Sequence, residues 1–151
     1  MQRTTLTLSR IIPAPRDDVF AAWTEPELLT QWWGPAPVTC PEAEVDLRPG
    51  GESRLANLQA NGTIVWISGR FEQVRPPEEL VYTWKATSLP GEATLVRVRF
   101  LPHADGTEIF LTHERFAEEA IRDMHLSGWK GCLDKLEQMF APVRTTGKSQ
   151  T

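Results

Sequence analysis

The chain has 151 residues, a formal net charge of −4, 40% apolar residues and 24% charged ones. That is the size and composition of one soluble globular domain, with enough chain to bury a core without metal or disulfide staples. It carries no Lys/Arg cluster and no basic stripe with interleaved aromatics, so nucleic-acid binding is without support.

Thr5 to Ile12, "TLTLSRII", alternates and then turns apolar, which predicts a strand. In "PAPRDDVF", Pro15 suits the first turn of a helix, and Asp17 and Asp18 favour its positive end. Val19, Phe20 and Trp23 supply its apolar stripe. Thr24 or Glu25 ends it, Pro26 opens a second short helix, "PELLTQWW", and Gly34-Pro35 stops that one. Adjacent helical side chains point about 100° apart, so Trp32 and Trp33 cannot both sit centrally on one buried face. Trp32 is expected to anchor this helical plug to the core, and Trp33 to touch a cavity mouth.

The middle of the chain is a series of strands punctuated by turn signals. Pro49-Gly50-Gly51 and Pro90-Gly91 suit type II turns, Asn61-Gly62 and Asp105-Gly106 suit two-residue hairpins, and Arg75-Pro76-Pro77 breaks the ladder. Between them lie "ESRLANLQA", "TIVWISGRFEQV", "LVYTWKATS", "TLVRVRFLP" and "TEIFLTHERF", five runs that predict an antiparallel meander. From Ala117 to Phe140 the period changes. Ile121, His125, Gly128, Trp129, Cys132, Leu133, Leu136 and Phe140 fall on one helical face, and Pro142 closes the segment. Gly128 lies on that stripe, so a close backbone approach is expected there. A curved sheet needs a cover on its apolar face, and this helix is the only element long enough to supply it. A space between sheet and helix follows, where ligands commonly sit. Residues 1–143 read as one domain and 144–151 as a disordered polar tail.

"PAPRDDVFAAWTEPELLTQWWGP", "DLRPGG", "GRFEQVRPPEELVYTW", "DGTEIFLTHERF" and "HLSGWKGCLDKL" occur in one order over nearly the whole chain. In that order they resemble the START-like, or SRPBCC, superfamily. Within it they are similar to the family related to the C-terminal domain of the heat-shock ATPase activator. The resemblance implies an α+β helix-grip fold: a curved antiparallel sheet wrapped on a long C-terminal helix, with two short helices near the N-terminus. It also implies a hydrophobic cavity for small apolar or aromatic molecules, but no particular reaction.

The candidate ligand-binding residues are Trp33, Trp66, Trp84, His113, His125 and Trp129. On the strand 107–115, His113 shares a face with Thr107, Ile109 and Leu111, so it is expected to point inward and to need a polar partner. His125 lies one turn before Trp129 on the terminal helix and borders the same space. Trp84 shares a strand face with Leu80 and Tyr82, and Trp66 shares one with Ile64; the sequence does not fix the register, and Trp84 is favoured over Trp66 as a wall because Leu80 and Tyr82 strengthen its face. Arg97 and Arg99 alternate with Val96, Val98 and Phe100, the mark of one wet face and one dry face. His103 is expected in an exposed turn.

Cys40 and Cys132 have no motif spacing and read as free thiols in a reducing compartment. His113, His125 and Cys132 are permitted zinc ligands, but their spacing matches no motif, so no metal is assigned. No catalytic or cofactor motif is present: no GxSxG elbow, HExxH, P-loop or dinucleotide fingerprint. No cofactor and no catalytic residue are therefore assigned. The N-terminus has no hydrophobic signal core, and the run Leu28–Pro41 is too short and proline-rich to span a bilayer. A cytoplasmic protein without membrane insertion is expected. The leading reading is a non-enzymatic protein that binds a small hydrophobic or aromatic ligand. One alternative is a chaperone-ATPase-regulating or other protein-binding module, though the sequence has no counterpart of the activator's additional N-terminal domain. Another is a cyclase- or dehydratase-like enzyme with His113 or His125 as general acid/base. A homodimer is left open.

Overall fold

The computed structural model describes residues 4–89 and 91–141. In chain order the elements are β1 (Thr4–Ile12), α1 (Arg16–Thr24), α2 (Pro26–Trp32), β2 (Ala43–Val45), β3 (Glu52–Leu58), β4 (Ile64–Arg75), β5 (Glu79–Ala86), β6 (Thr94–His103), β7 (Gly106–Phe116) and α3 (Glu119–Phe140). This is the expected α+β helix-grip arrangement. Pro90 of the Pro90-Gly91 turn, Pro142 and the predicted tail 144–151 lie outside the described residues.

All seven strands form one antiparallel sheet in the order β1-β7-β6-β5-β4-β3-β2. Strands β2 to β7 meander in sequence, and β1 closes against β7. Strand β2 was not anticipated, because three residues are too few to display a period. The two short helices bridge the opposite edges of the sheet. Pro15 precedes α1, and its carbonyl accepts hydrogen bonds from the amides of Asp18 and Val19 at 3.0 and 3.1 Å. Pro26 opens α2, and the chain leaves that helix through an extended Trp33. Gly34 then takes φ +100°, a conformation that L side chains rarely adopt, and turns the chain toward the sheet.

The turns follow the sequence signals with two changes. Gly50 at φ +84° and the bond from Gly51 N to Arg48 O (2.8 Å) make the type II turn at Pro49-Gly50. The Asn61-Gly62 hairpin has a three-residue loop instead of two. Gln59 pairs with Thr63, and only Gly62 takes a positive φ. One left-handed residue suits a type I turn with a bulge, whereas type I′ needs two. In the second hairpin His103 pairs with Gly106, so the loop is Ala104-Asp105 and Gly106 already belongs to β7.

Cross-strand register explains the dry face. Tyr82 sits opposite Val96, which sits opposite His113, which sits opposite Leu6. Leu80, Val98 and Leu111 form the next rung. All of these residues are buried. The outer face carries the arginines: Arg97 pairs with Glu79 at 2.7 Å, and Arg75 reaches the same carboxylate at 3.2 Å.

Helix α3 crosses the dry face but leans to one side, against β1 and α2. Arg10 of β1 binds Asp134 and Glu137 of α3 at 2.8 and 3.1 Å, and Arg122 donates to Thr4 Oγ1 at 2.6 Å. Lys135 ties the other flank of the helix to the loop after α2. Its ammonium donates to the carbonyls of Gly34 (2.8 Å) and Val38 (3.2 Å). The close approach expected at Gly128 occurs one helical turn later, at Gly131. A Cβ there would lie 2.7 Å from Pro35 Cβ, whereas one at Gly128 would meet only Pro35 Cγ at 3.9 Å. The stripe alone could not reveal this, because the approaching atoms belong to the loop after α2.

Candidate ligand cavity

Because α3 leans toward β1, a gap opens between it and strands β3 to β5. One chamber of about 210 Å³ fills this gap. Trp33, Asn57, Val65, Ile67 and Trp84 line it from the plug and sheet, and Met124, His125, Gly128, Trp129 and Cys132 from the helix. A second chamber of about 350 Å³ lies toward the start of α3, lined by Lys85, Thr94, Arg115, Phe116, Glu118 and Ile121 among others. Trp84, Ala86, Leu89 and His125 border both chambers and form the partition between them. Arg115 takes φ +78°, which no other non-glycine residue among the described ones does, at the rim of the larger chamber.

The walls are largely tryptophan. Trp33 meets Trp129 edge-on at 5.3 Å between ring centroids, and Trp84 lies 5.8 Å from Trp33 and 5.2 Å from Trp129. Trp23 stacks behind Trp129 at 6.0 Å and packs on Trp32 at 5.0 Å. Such contacts add about 0.5–1.5 kcal/mol per pair beyond area burial and hold the walls rigid. The two adjacent tryptophans divide as their spacing required. Trp32 is fully buried and donates to Ala22 O at 2.9 Å, while Trp33 faces the chamber and donates to Asn57 Oδ1 at 3.0 Å.

His113 is held by a chain of hydrogen bonds. Trp129 Nε1 donates to His113 Nδ1 at 3.1 Å, which leaves the ring proton on Nε2, 2.6 Å from Thr94 Oγ1. Thr94 in turn donates to Trp84 O at 3.2 Å. Burial pushes the His113 pKa down to about 2, with nearby His125 adding to the effect. His113 is thus a neutral, fully buried imidazole with both nitrogens used. The expectation that it offers a hydrogen bond to a ligand is corrected: the indole of Trp129 and the Thr94 hydroxyl occupy both positions, and its ring lines neither chamber. The same geometry removes it as a general acid or base.

His125 is different. Its Nδ1 donates to Ile121 O, one turn back, at 2.8 Å. The neutral ring then presents Nε2 as an acceptor, and no protein donor meets it among the described residues. Burial lowers its pKa, which keeps the ring neutral, although the bond to Ile121 opposes that shift. Trp84 packs beside it, with ring centroids 5.9 Å apart. The residue is 9% exposed, and its fully buried Nε1 has no hydrogen-bond partner among the described residues. Leaving such a donor unpaired costs about 1–3 kcal/mol.

Trp66 lies elsewhere. It shares the outer face of β4 with exposed Ile64, and the Arg54 guanidinium covers its ring at 4.1 Å. The other parity of the same strand, Val65 and Ile67, faces the chamber. The expectation that Trp66 lines the cavity is therefore corrected, because the register of β4 against β3 turns it out. The structure brings Trp33, Trp84, His125 and Trp129 together. Sequence reasoning missed Val65, Ile67, Leu89 and Met124 on the walls and Thr94 as the partner of His113. The alternation in "TIVWI" signalled Val65 and Ile67, but only as one of two parities. Among the described residues, no three His, Cys, Asp or Glu side chains are grouped to hold a metal. Cys40 and Cys132 are free and buried, and burial pushes the Cys132 thiol up to about 12.

The family described as Activator of Hsp90 ATPase homolog 1-like protein matches residues 13–141. The chain belongs to that family. No curated protein matches it. Among solved structures, a protein from Chromobacterium violaceum superposes with a TM-score of 0.83 at 24% identity, over 92% of this chain and 99% of that one. One from Nitrosomonas europaea superposes at 0.76 with 27% identity, over 89% and 92% of the two chains. The AHSA1 protein from Silicibacter pomeroyi superposes at 0.80 with 24% identity, over 90% and 96%. These likenesses support the fold of this family member and leave its activity to be argued from the cavity. No helix among its described residues is long and apolar enough to cross a membrane.

Proposed function

We propose that this protein binds a small hydrophobic or aromatic molecule between the sheet and α3. The observation that carries this reading is the chamber of about 210 Å³ walled by Trp33, Trp84 and Trp129. Here the aromatic walls enclose a mostly apolar space that a packed core would fill with side chains. The chamber exceeds the roughly 150 Å³ in which a dry cavity accommodates benzene. Fluorescence titration with a panel of aromatic metabolites and fatty acids, alongside native mass spectrometry, tests the reading. A stoichiometric complex with saturable tryptophan quenching supports it. No binding across the panel, with a crystal structure showing the gap closed by side chains, would refute it.

A further inference from the structure

This inference rests on the ligand-binding reading above and names the ligand's polar group and the residue that reads it. We propose that the tryptophan-walled chamber selects an uncharged aromatic carbonyl compound, whose oxygen accepts a hydrogen bond from Asn57 Nδ2.

Asn57 is a polar side chain on the dry face of the sheet. It lies on β3 two residues after buried Leu55; its cross-strand partner is Val65, and that of Leu55 is Ile67. Val65 and Ile67 line the chamber, and so does Asn57. An apolar side chain there would complete this wall. Trp33 accounts for only half of the amide. An indole nitrogen can only donate, so the group that meets Trp33 Nε1 at 3.0 Å is the amide oxygen, Oδ1. That bond fixes the orientation of the side chain and leaves Nδ2 with two N–H groups to place. No acceptor among the described residues meets them. Asn57 is half-buried and its Nδ2 is open to the surrounding space, whereas Trp84 Nε1 is sealed within the wall.

The make-up of the chamber decides which acceptor suits this donor. Among the described residues no Asp, Glu, Lys or Arg lines it, and burial disfavours the charged form of His125. A carboxylate would satisfy Nδ2 but would leave water without a counter-charge. A hydrocarbon leaves the donor unpaired. A hydroxyl accepts but brings a proton that needs an acceptor of its own. A carbonyl accepts and brings nothing further to satisfy. The ring preference comes from the walls: Trp33 and Trp129 meet edge to face at 5.3 Å, and an aromatic guest repeats that geometry.

Isothermal titration of the whole chain with acetophenone, α-methylstyrene, 1-phenylethanol and benzoate tests the proposal, at about pH 8, where a carboxylate is ionised. The four share a phenyl ring and differ in the small branched group it carries. Acetophenone is expected to bind about fivefold or more tighter than α-methylstyrene, in which a CH2 group replaces the oxygen, and to lead the other two. Asn57→Asp keeps an oxygen for Trp33 but exchanges the donor for an acceptor. In that variant the advantage over α-methylstyrene should vanish, and 1-phenylethanol, which can donate, should overtake acetophenone. Circular dichroism checks that the variant folds. Heteronuclear NMR of the wild type needs no variant: the Asn57 side-chain amide protons should move downfield with acetophenone and not with α-methylstyrene. Equal affinities for those two, or tighter binding of benzoate or 1-phenylethanol to the wild type, would overturn the carbonyl assignment. A ketone preference that survives in the folded variant, or amide resonances that stay in place, would overturn the choice of Asn57. In each case the binding reading stands. If these four fail to bind while other members of the earlier panel succeed, this inference alone falls; if nothing binds, both fall.

Discussion

The buried imidazole of His113 makes a quantitative demand on the pH dependence of stability. In the folded chain its pKa lies at about 2, because burial penalises the charged ring and both nitrogens are already bonded to Trp129 and Thr94. In the unfolded chain it returns to the ordinary value near 6.5. The folded-state pKa is thus lowered, so between those two values the unfolded state holds a proton that the folded state refuses. Stability must fall as the pH drops below about 6.5, and the fall continues until the folded-state value is reached. For this group alone the loss between pH 7.5 and pH 5.5 is about 1.4 kcal/mol. His125 contributes in the same direction, since its pKa is also lowered. The two are separated by His113→Gln, whose amide can accept from Trp129 and donate to Thr94 without titrating. Urea denaturation at both pH values gives the free energies. The wild type is expected to lose about 1.4 kcal/mol more than His113→Gln over this interval. Equal losses in the two proteins would refute the reasoning, because they would mean that His113 accepts a proton without unfolding.

Gly128→Ala is expected to stabilise the chain by up to about 1 kcal/mol, since the new methyl meets ordinary space, whereas Gly131→Ala forces Pro35 away and should destabilise it by about 1–3 kcal/mol; thermal melts of the two variants give the opposite shifts. Lys135→Met removes the ammonium that holds the Gly34 and Val38 carbonyls, at a cost of about 1.5–3 kcal/mol in urea denaturation. Trp129→Phe keeps an aromatic wall but strips the donor from His113 Nδ1, and a loss of about 1–3 kcal/mol is expected by the same assay. Trp66→Phe touches only the outer face beneath Arg54, so the affinity for an aromatic ligand identified in the titration panel should stay within about twofold of the wild type in calorimetry.

Most of the fold was legible because its signals are local. Pro15, Pro26 and Gly34 bracket the two short helices, and the alternation in "VRVRF" separates a wet face from a dry one without knowledge of any neighbour. The site was legible only where a residue's face followed from its own strand or helix, as for Trp84 beside Leu80 and Tyr82, and for His125 one turn before Trp129. It failed where the answer depended on pairing. Trp66 and Val65 are adjacent on β4, and only the register against β3 decides which one faces the chamber. His113 was read correctly as inward and needing a partner, but Thr94 lies on β6 and Trp129 on α3, and neither position announces that role in sequence. The helix shows the same limit. Its stripe marked Gly128, yet Pro35 approaches Gly131, because the lean of α3 is fixed by Arg10, Lys135 and the loop after α2. That lean also opens the gap on the β3–β5 side. The cavity is thus the product of contacts far apart in the chain, and its walls come together only once those contacts are in place.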